Sequence, residues 1–446
     1  MAKDKVSEFI SSPKKALFKL SLPVLASMFV QVLYNLVDTA FVGRLGPEAI
    51  AAVTFAFPVF IFMVSLNMGL GVGMGSRISR SLGGGYKKRA ESTATHGVLI
   101  SLVLALIVFL LGSVFINPLL YIFGAQGSSF SLAHDYLSVI FTASFFIFLT
   151  GIFNQIFVAQ GDTKTPMKIT ITALIINMVL DPIFIYYLGL GVKGAAYATA
   201  LSFAVGLVLF IIAFIRLSDI HFIIRGFRLK GRTIKDILYV GGPASITMFL
   251  MSIYMTFINK FMAHFGTEYV ALFGIVARME SLAIMPMAAV SISMVTLTGM
   301  FYGAKQFEIL NEMVWFALKL VVSLAIIVGV FYFAVPEFIF RIFTNDPRVI
   351  ELGAAYMRIN VFTFPFMAIT VTVSRVMQGL GYGLPGMAVN FTRVLVFAVP
   401  LSFVFIYILG LPYLSVPVAG IVGGGAGSIV GVVWYKILFE KCRKGC

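Results

Sequence analysis

About twelve apolar stretches, each long enough to cross a bilayer, follow one another along this chain with short polar loops between them. A transmembrane helix needs about 20 mostly apolar residues, whereas a strand of an outer-membrane barrel needs only about 10. Charged residues make up 11% of the chain, against about 25% in soluble domains. The loops are too short to form a globular domain of about 50 residues. These features predict an all-α integral membrane protein with twelve transmembrane helices.

The longest polar connection, rich in arginine, runs from Asp219 to Lys235 and divides the predicted spans into two groups of six. We therefore predict an N-terminal lobe over residues 1–218, a connecting loop over 219–232 and a C-terminal lobe over 233–446. The predicted spans are 15–42, 48–80, 90–116, 131–160, 164–188, 194–218, 233–263, 268–300, 308–335, 347–379, 384–408 and 416–440.

The two groups of spans resemble each other at a nearly constant offset. The segment 23–29 aligns without gaps on 243–249, a shift of 220 positions, and the same shift pairs Tyr34 with Tyr254 and Gly83 with Gly303. Parallel repeats of six spans are a known transporter architecture, with the substrate route between the halves. The chain is therefore expected to form two pseudo-symmetric six-helix lobes.

The net charge of +15 is distributed as in a membrane protein rather than a nucleic-acid-binding protein. Lysine and arginine cluster within residues 3–19, 77–89, 225–235 and 436–444, which all fall on one side if the spans alternate. Cytoplasmic loops near span ends carry an excess of such residues. We expect a protein of the plasma membrane with both termini in the cytoplasm, and no nucleic-acid partner.

Two carboxylates, Asp38 and Asp181, interrupt apolar runs that otherwise keep their charges at the ends. A charge at mid-membrane costs about 2.5–3.5 kcal/mol on insertion scales, so such residues usually mark ion or proton pathways. Under the repeat these positions fall on Ile258 and Pro400, which confines the pair to the first lobe. A purely structural role would predict a counterpart in the second lobe.

Further polar side chains surround these acids at helical spacing. Asn154 on the fourth span and Thr199 on the sixth allow oxygen atoms to converge from four helices. Oxygen ligands without sulfur or imidazole suit a hard cation, and the alternative is that one of two repelling acids takes up a proton. The residues that share a face are Gln31, Asn35 and Asp38 on the first span, and Asn177 and Asp181 on the fifth.

Several of these residues also have a structural interpretation. Asp38 could form a hydrogen bond to a neighbouring helix. Asn177 could hold two helices together through the hydrogen bonds of its side-chain amide, as asparagine does in other membrane proteins. Pro23 and Pro182 could kink their helices near the acids, either as a moving part or as a static bend. In the second lobe, Glu280 is the strongest candidate for a functional charge.

The alternative for Glu280 is an ion pair with Arg278 or Arg393.

Gly69 and Gly73 fit the small-xxx-small pattern of close helix packing rather than a nucleotide-binding loop. The four histidines are scattered, and the sequence contains no nucleophile elbow or P-loop. These observations argue against an enzyme and against ATP hydrolysis.

These residues resemble the multidrug and toxic compound extrusion (MATE) family, in its DinF-like prokaryotic branch. The likeness covers nearly the whole chain and includes the stretch 31–43 with its Asn35-x-x-Asp38 core, the stretch 158–164, and Asn177-x-x-x-Asp181-Pro182. It implies a V-shaped fold of two six-helix lobes. Because the NorM-like branch carries its acids mainly in the second lobe, the resemblance favours a site in the first.

The resemblance also implies secondary active antiport, in which sodium ions or protons enter while amphipathic, often cationic compounds leave. The first span would bend at Pro23, and no organic cofactor would be needed. The expected partners are small amphipathic substrates and membrane lipids, and a monomer is expected. The implied site residues are Asp38, Asn177, Asp181 and Thr199 as cation or sodium ligands, Ala195 through its carbonyl, and Gln31, Asn35 and Asn154 along the substrate cavity.

Three other functions remain as alternatives. A flippase for a lipid-linked oligosaccharide or another amphipathic lipid would share this architecture, but it would be expected to hold cations in its cavity, where this chain has acids. A passive channel would need a continuous polar stripe. A membrane-bound enzyme would need a catalytic cluster. Each of the three predicts that gradient-coupled efflux does not depend on Asp38.

Overall fold

The structure is a computed structural model that describes residues 2–223 and 225–444. Met1 of the predicted N-terminal lobe, Gly445 and Cys446 of the predicted C-terminal lobe, and Ile224 in the loop between the lobes lie outside the described residues. All regular structure in the described ranges is helical, and twelve helices are long and apolar enough to cross a membrane. The prediction of an all-α protein with twelve transmembrane helices is confirmed, so this is a multi-pass membrane protein.

The helices follow the predicted order, with short α-, π- and 3₁₀-segments in the later spans. In chain order they are α1 (Ala2–Ser11), α2 (Pro13–Gly43), α3 (Pro47–Gly83), α4 (Lys87–Ile122), α5 (Gly127–Ala159), α6 (Lys164–Pro182) with a π-helix (Ile183–Tyr187), α7 (Gly191–Leu217), α8 (Gly231–Ala263), α9 (Thr267–Gly303), α10 (Phe307–Ala334), α11 (Pro336–Arg341), α12 (Pro347–Asn360) with a 3₁₀-turn (Val361–Thr363), α13 (Phe364–Leu380), α14 (Gly383–Phe391) with a π-helix (Thr392–Ala398), α15 (Val399–Phe403) with a π-helix (Val404–Ile408), and α16 (Ser415–Lys444).

The helical segments outside the predicted spans include a C-terminal extension of α4 and the short helices α1 and α11. The third span was expected to end at residue 116, before Pro118, but α4 continues through that proline to Ile122. A proline removes one helical hydrogen bond without having to end the helix, because neighbouring groups in a membrane protein can replace it. The second addition is the short helix α1, which buries Phe9.

The chain forms two compact units. Unit 1 comprises Met1–Val6 and Lys19–Ser245, and unit 2 comprises Ser7–Phe18 and Ile246–Cys446. The boundaries between the units lie inside α1, α2 and α8. In unit 2 the start of α2 packs on α10, where Lys14 Nζ lies 3.3 Å from Glu312 and the ring of Phe18 meets that of Phe316 edge-on.

The same helix pairs pack in each unit, as the sequence repeat predicts. In unit 1, α5 lies at the centre and contacts α3, α4 and α7. In unit 2, α13 occupies the equivalent place and contacts α9, α10 and α16. Apolar side chains fill the space around α5, including the fully buried Phe148, Ile156 and Phe210. The central helix fixes the orientation of the neighbours that carry the polar residues.

Close approach of α3 and α8 confirms the packing role predicted for the glycines of α3. A Cβ atom on Gly73 would lie 2.9 Å from the backbone nitrogen of Gly241, and one on Gly241 would lie 2.6 Å from the carbonyl oxygen of Gly69. Only a residue without a side chain allows two helix backbones to come this close. The first half of α8 is therefore held directly on α3.

Candidate cation site in unit 1

Asp181 is the most deeply buried acid of the predicted site. It lies at the end of α6, its side chain is fully buried, and neither carboxylate oxygen has a hydrogen-bond partner. Asp38 lies half-buried on α2, close enough for its charge to act on Asp181. Removing a carboxylate from water without a partner costs several kcal/mol. The structure thus brings the two predicted acids together at a place that favours a neutralising cation or proton.

Asn177 lies on α6 one helical turn before Asp181 and adds a further oxygen atom to the cluster. Its amide nitrogen donates to the hydroxyl oxygens of Thr199 at 3.4 Å and Ser202 at 3.3 Å, both on α7. Ser202 in turn donates to the carbonyl oxygen of Thr199 at 2.9 Å. The Asn177 Oδ1 atom is buried and has no partner. With both donors of its amide directed to α7, Asn177 is left with a bare oxygen, as a cation ligand requires.

Two tyrosines that sequence reasoning did not select complete the cluster. Tyr34 lies one turn before Asp38 on α2, with its hydroxyl next to Thr199, and Tyr136 lies on α5. Both hydroxyls lie within electrostatic range of Asp38 and Asp181. The offset of 220 positions pairs Tyr136 with Tyr356, so the repeat carried a signal for this residue. The residues of this cluster come from α2, α5, α6 and α7, with Tyr136 as the group from α5.

Ala195, expected to offer its carbonyl, is buried on α7 beside this cluster. It packs with Val42 and Ile185, and Tyr136 lies against the same apolar group. Among the described residues there is no group of three or more histidine, cysteine, aspartate or glutamate side chains that could hold a metal. A sodium ion at this place would therefore use amide, hydroxyl or carbonyl oxygens in addition to the two acids.

The three residues predicted to line the substrate cavity share no hydrogen bond with the two acids within the described residues. Gln31 and Asn35 are exposed on one face of α2, where Gln31 Nε2 donates to Asn35 Oδ1 at 3.4 Å. Asn154 is half-buried on α5. No hydrogen bond among the described residues joins these three amides to Asp38 or Asp181. The shared face of Gln31 and Asn35 is confirmed, and contact with substrate stays a prediction.

The helix α2 is continuous through Pro23, which is buried in it. Pro23 has no N–H, so α2 lacks one of its regular hydrogen bonds there. The hydroxyl of Ser27 donates to the Pro23 carbonyl oxygen at 3.0 Å. At the other end of α2, the Tyr186 hydroxyl donates to the Phe41 carbonyl oxygen at 2.5 Å, and their rings meet edge-on. The end of α2 is thereby joined to the π-helix that directly follows Asp181 and Pro182.

A second polar centre lies in unit 2 around Glu280. Its carboxylate accepts a hydrogen bond from Asn360 at 2.5 Å, while Arg278 is exposed. Arg393 is buried within electrostatic range, and one of its terminal nitrogens contacts the sulfur of Met251 at 3.1 Å. The hydrogen-bond donor to Glu280 is therefore Asn360, and not Arg278 or Arg393, the two arginines considered as ion-pair partners. Sequence spacing could not reveal Asn360, which is 80 positions away and on another helix.

Twelve spans built on a six-span repeat, with an acid cluster buried in one half, define a multi-pass membrane transporter. The MatE family model matches residues 23–183 and 243–404, one match in each half of the repeat. The chain belongs to this family. The predicted family membership is confirmed, and the DinF-like branch stays a prediction.

Relatives of similar length carry different transporter names. The chain is 28% identical over 441 residues to the FAD transporter of Shewanella oneidensis, covering 96% of this chain and 95% of that protein. It is 29% identical over 443 residues to the "Probable multidrug resistance protein NorM" of Thermotoga maritima, covering 97% and 93%. A crystal structure of MATE in the bent conformation matches with a TM-score of 0.94 at 32% identity, covering 99% and 98%. These relatives are transporters, not enzymes.

Proposed function

We propose that the protein is a cation-coupled exporter, in which a sodium ion or proton binds at the acid cluster of unit 1 and drives amphipathic organic compounds out of the cell. The observation that carries this proposal is the state of Asp181, which is fully buried with both carboxylate oxygens unbonded. An uncompensated charge in such a place is unfavourable by several kcal/mol. A cation that arrives and departs during the cycle is the simplest way to neutralise it.

The composition of the cluster supports exchange rather than permanent structure. Asp38 and Asp181 interact electrostatically, and the bare oxygen of Asn177 lies in the same cluster. Oxygen groups of this kind suit a hard cation such as sodium, and two adjacent acids can equally share a proton. The proposed ligands are Asp38, Asn177, Asp181 and Thr199, with the Ala195 carbonyl as a further one.

Occupation of this site would act on α2, because Asp38 and Tyr34 both belong to that helix. Neutralising Asp38 removes its repulsion from Asp181 and allows the two to approach. We propose that α2 responds by bending at Pro23, where one helical hydrogen bond is already missing. The likeness to a MATE protein in a bent conformation supports this proposal. The bend would reshape the face of α2 that carries Gln31 and Asn35 and release substrate.

The membrane potential contributes free energy to this exchange for each net charge that crosses the membrane, whereas a one-for-one exchange of monovalent cations draws only on their concentration gradients. One elementary charge moving across 100 mV is worth about 2.3 kcal/mol, which corresponds to roughly fifty-fold accumulation. We propose amphipathic, often cationic substrates, consistent with the relatives named for multidrug transport. The relative named FAD transporter makes a dinucleotide a second substrate to be tested.

The same proposal places the protein in the plasma membrane as a monomer, with the basic loops and both termini in the cytoplasm, following the positive-inside rule. A lipid flippase, the alternative function, would be favoured by cations facing a lipid diphosphate. The polar cluster of unit 1 instead contains two acids and no lysine or arginine among its described members. We therefore prefer the exporter.

The test is efflux from proteoliposomes under a sodium gradient or a proton gradient imposed separately, with ethidium and FAD as the two substrates. The variants are Asp38→Asn and Asp181→Asn, which remove the charge while keeping the side-chain shape. Asp135→Asn is the matched control, because Asp135 is an acid of the same unit whose ion pair with Lys193, at 3.7 Å, is partly exposed. Exposed pairs of this kind contribute little to stability.

We expect one of the two gradients to accelerate export of at least one substrate by the wild type and by Asp135→Asn. Both site variants should lose the dependence on that gradient. If Asp38→Asn or Asp181→Asn responds to the gradient as strongly as the wild type, the acid cluster is not the coupling site. If efflux is driven equally well without any gradient, the antiport proposal fails.

A further inference from the structure

A cavity of about 430 Å³ lies in unit 1, away from the acid cluster, where the end of α3 meets the first turns of α4 and α8. This volume falls in the range of about 300–1,000 Å³ that is usual for small-molecule pockets. Five of the side chains that line it are basic and one is acidic: Arg77, Lys88, Arg89, Lys230, Arg232 and Asp236.

The acid in this cavity is already paired. Asp236 bonds Arg77, which also donates to the hydroxyl oxygens of Thr93 at 3.2 Å and Thr233 at 3.4 Å. Arg77 is therefore a fixed part of the wall, held by α3, α4 and α8 together. The remaining positive charge of the cavity belongs to four other side chains.

These four cations have no acidic partner. Within the described residues, no carboxylate lies at ion-pair distance from Lys88, Arg89, Lys230 or Arg232, and Arg89 instead stacks on the ring of Tyr86 at 4.9 Å. The positive-inside rule accounts for basic residues in this loop region. It does not account for basic residues from two separate segments of the chain that border one cavity and leave four cations beyond the pair of Arg77 and Asp236.

The backbone adds to the positive potential. Both α4, which begins at Lys87, and α8, which begins at Gly231, have their first turns at the cavity. The N-terminal end of a helix carries a partial positive charge and unpaired N–H groups that bind phosphate and similar anions. Two helix starts and four unpaired cations thus face the same space.

We propose that this cavity binds a phosphate group. Arginine guanidinium groups bond phosphate through two parallel N–H donors, and lysine adds a point charge, so this mixture matches a phosphate better than a single carboxylate. The cavity lies where α3 ends and where α4 and α8 begin, at the ends of three helices long enough to cross a membrane. Basic pockets between transmembrane helices are known to hold anionic lipid headgroups. The phosphate can belong to such a lipid or to a soluble phosphate.

A bound phosphate would bridge α4 and α8 through Arg89 and Arg232. Because α8 continues past Ser245 into unit 2, the ligand would strengthen the attachment of the start of that helix to unit 1. The site is separate from the cation site and does not depend on the proposed transport function. It can be tested by binding alone.

The test is isothermal titration calorimetry on the full-length protein in a non-ionic detergent, with inorganic phosphate and short-chain phosphatidylglycerol as the two probes. The cavity variant is Lys230→Gln with Arg232→Gln. The matched control is Arg225→Gln with Arg228→Gln, which removes two exposed cations of the same loop that do not line the cavity. The thermal unfolding of both variants is recorded to establish that they fold.

We expect saturable binding of one probe or both to the wild type and to the control. The cavity variant should bind about 25-fold more weakly, at about fivefold for each of the two lost cations. Tighter binding of phosphatidylglycerol identifies a lipid as the source, and binding of inorganic phosphate alone identifies a soluble ligand. The proposal is overturned if neither probe binds saturably, or if both double variants lose affinity equally.

Discussion

Two adjacent glycines in α8 provide a sharp test of how the helices of unit 1 pack. A Cβ atom added to Gly241 would lie 2.6 Å from the carbonyl oxygen and 3.1 Å from the carbonyl carbon of Gly69. A Cβ atom added to Gly242 would meet no atom within 4 Å outside its chain neighbours and the backbone of its own helix. Gly241→Ala and Gly242→Ala make the same chemical change one residue apart, in opposite environments.

The expected difference follows from these distances. A carbon atom and a carbonyl oxygen normally lie about 3.3 Å apart or more. The Cβ atom introduced by Gly241→Ala would therefore be about 0.7 Å too close to the Gly69 carbonyl oxygen, a backbone atom that cannot rotate away. Forcing an extra carbon into a packed interface costs about 1–3 kcal/mol. At Gly242 the usual gain of about 0.5–1 kcal/mol over glycine is opposed by the contact of the new Cβ atom with the ring of the following Pro243, so we expect little net change. The two variants should therefore differ by about 1–3 kcal/mol in the free energy of unfolding.

The assay is thermal unfolding of the purified variants in detergent, followed by size-exclusion chromatography with fluorescence detection. A unit of this size shifts by about 2–4 °C for each kcal/mol. Gly241→Ala should therefore melt about 2–12 °C below Gly242→Ala, and Gly242→Ala should melt close to the wild type. If the two alanine variants melt within a degree of each other, the close contact between α3 and α8 does not exist as described.

Three further predictions concern polar groups. Without sodium and at alkaline pH, Asp181→Asn should raise the melting temperature. Adding the coupling cation should stabilise only the wild type, by about 2.7 kcal/mol at a hundredfold excess over Kd. The prediction is contradicted if the cation stabilises Asp181→Asn as much as the wild type. Tyr186→Phe should lower the free energy of unfolding by about 0.5–1 kcal/mol, measured by thermal unfolding, because it loses the bond to Phe41 but keeps the ring contact. Asn360→Leu should cost about 1–3 kcal/mol, because Glu280 then lacks its donor; adding Glu280→Gln should recover part of the loss, and no recovery would mean that the two groups are not coupled.

The twelve spans and the pair of acids could both be predicted from the sequence, for the same physical reason. A membrane interior accepts long apolar helices and excludes isolated charges. The twelve spans could therefore be located within a few residues, and Asp38 and Asp181 were conspicuous. The exception at Pro118 arose because the cost of a proline in a membrane helix depends on neighbours that the sequence does not show.

The sequence was insufficient wherever the answer depends on how a helix is rotated against its neighbour. Spacing placed Gln31 and Asn35 on one face of α2, but it could not show that their hydrogen bonds would leave the acids out. Tyr136 was overlooked because a tyrosine in an apolar helix usually packs without a special role. The hydrogen bond from Asn360 to Glu280 was not predicted, because the two residues are 80 positions apart and spacing does not show which side chains of separate helices meet.

Release of the coupling cation on substrate binding tests the central claim most directly. Purified protein in weakly buffered solution, loaded with radioactive sodium or monitored by a pH indicator, is titrated with the exported substrate. We predict that substrate releases sodium ions or protons from the wild type and from Asp135→Asn, and releases neither from Asp181→Asn. Substrate binding that releases no cation from the wild type, or releases as much from Asp181→Asn, would contradict the account.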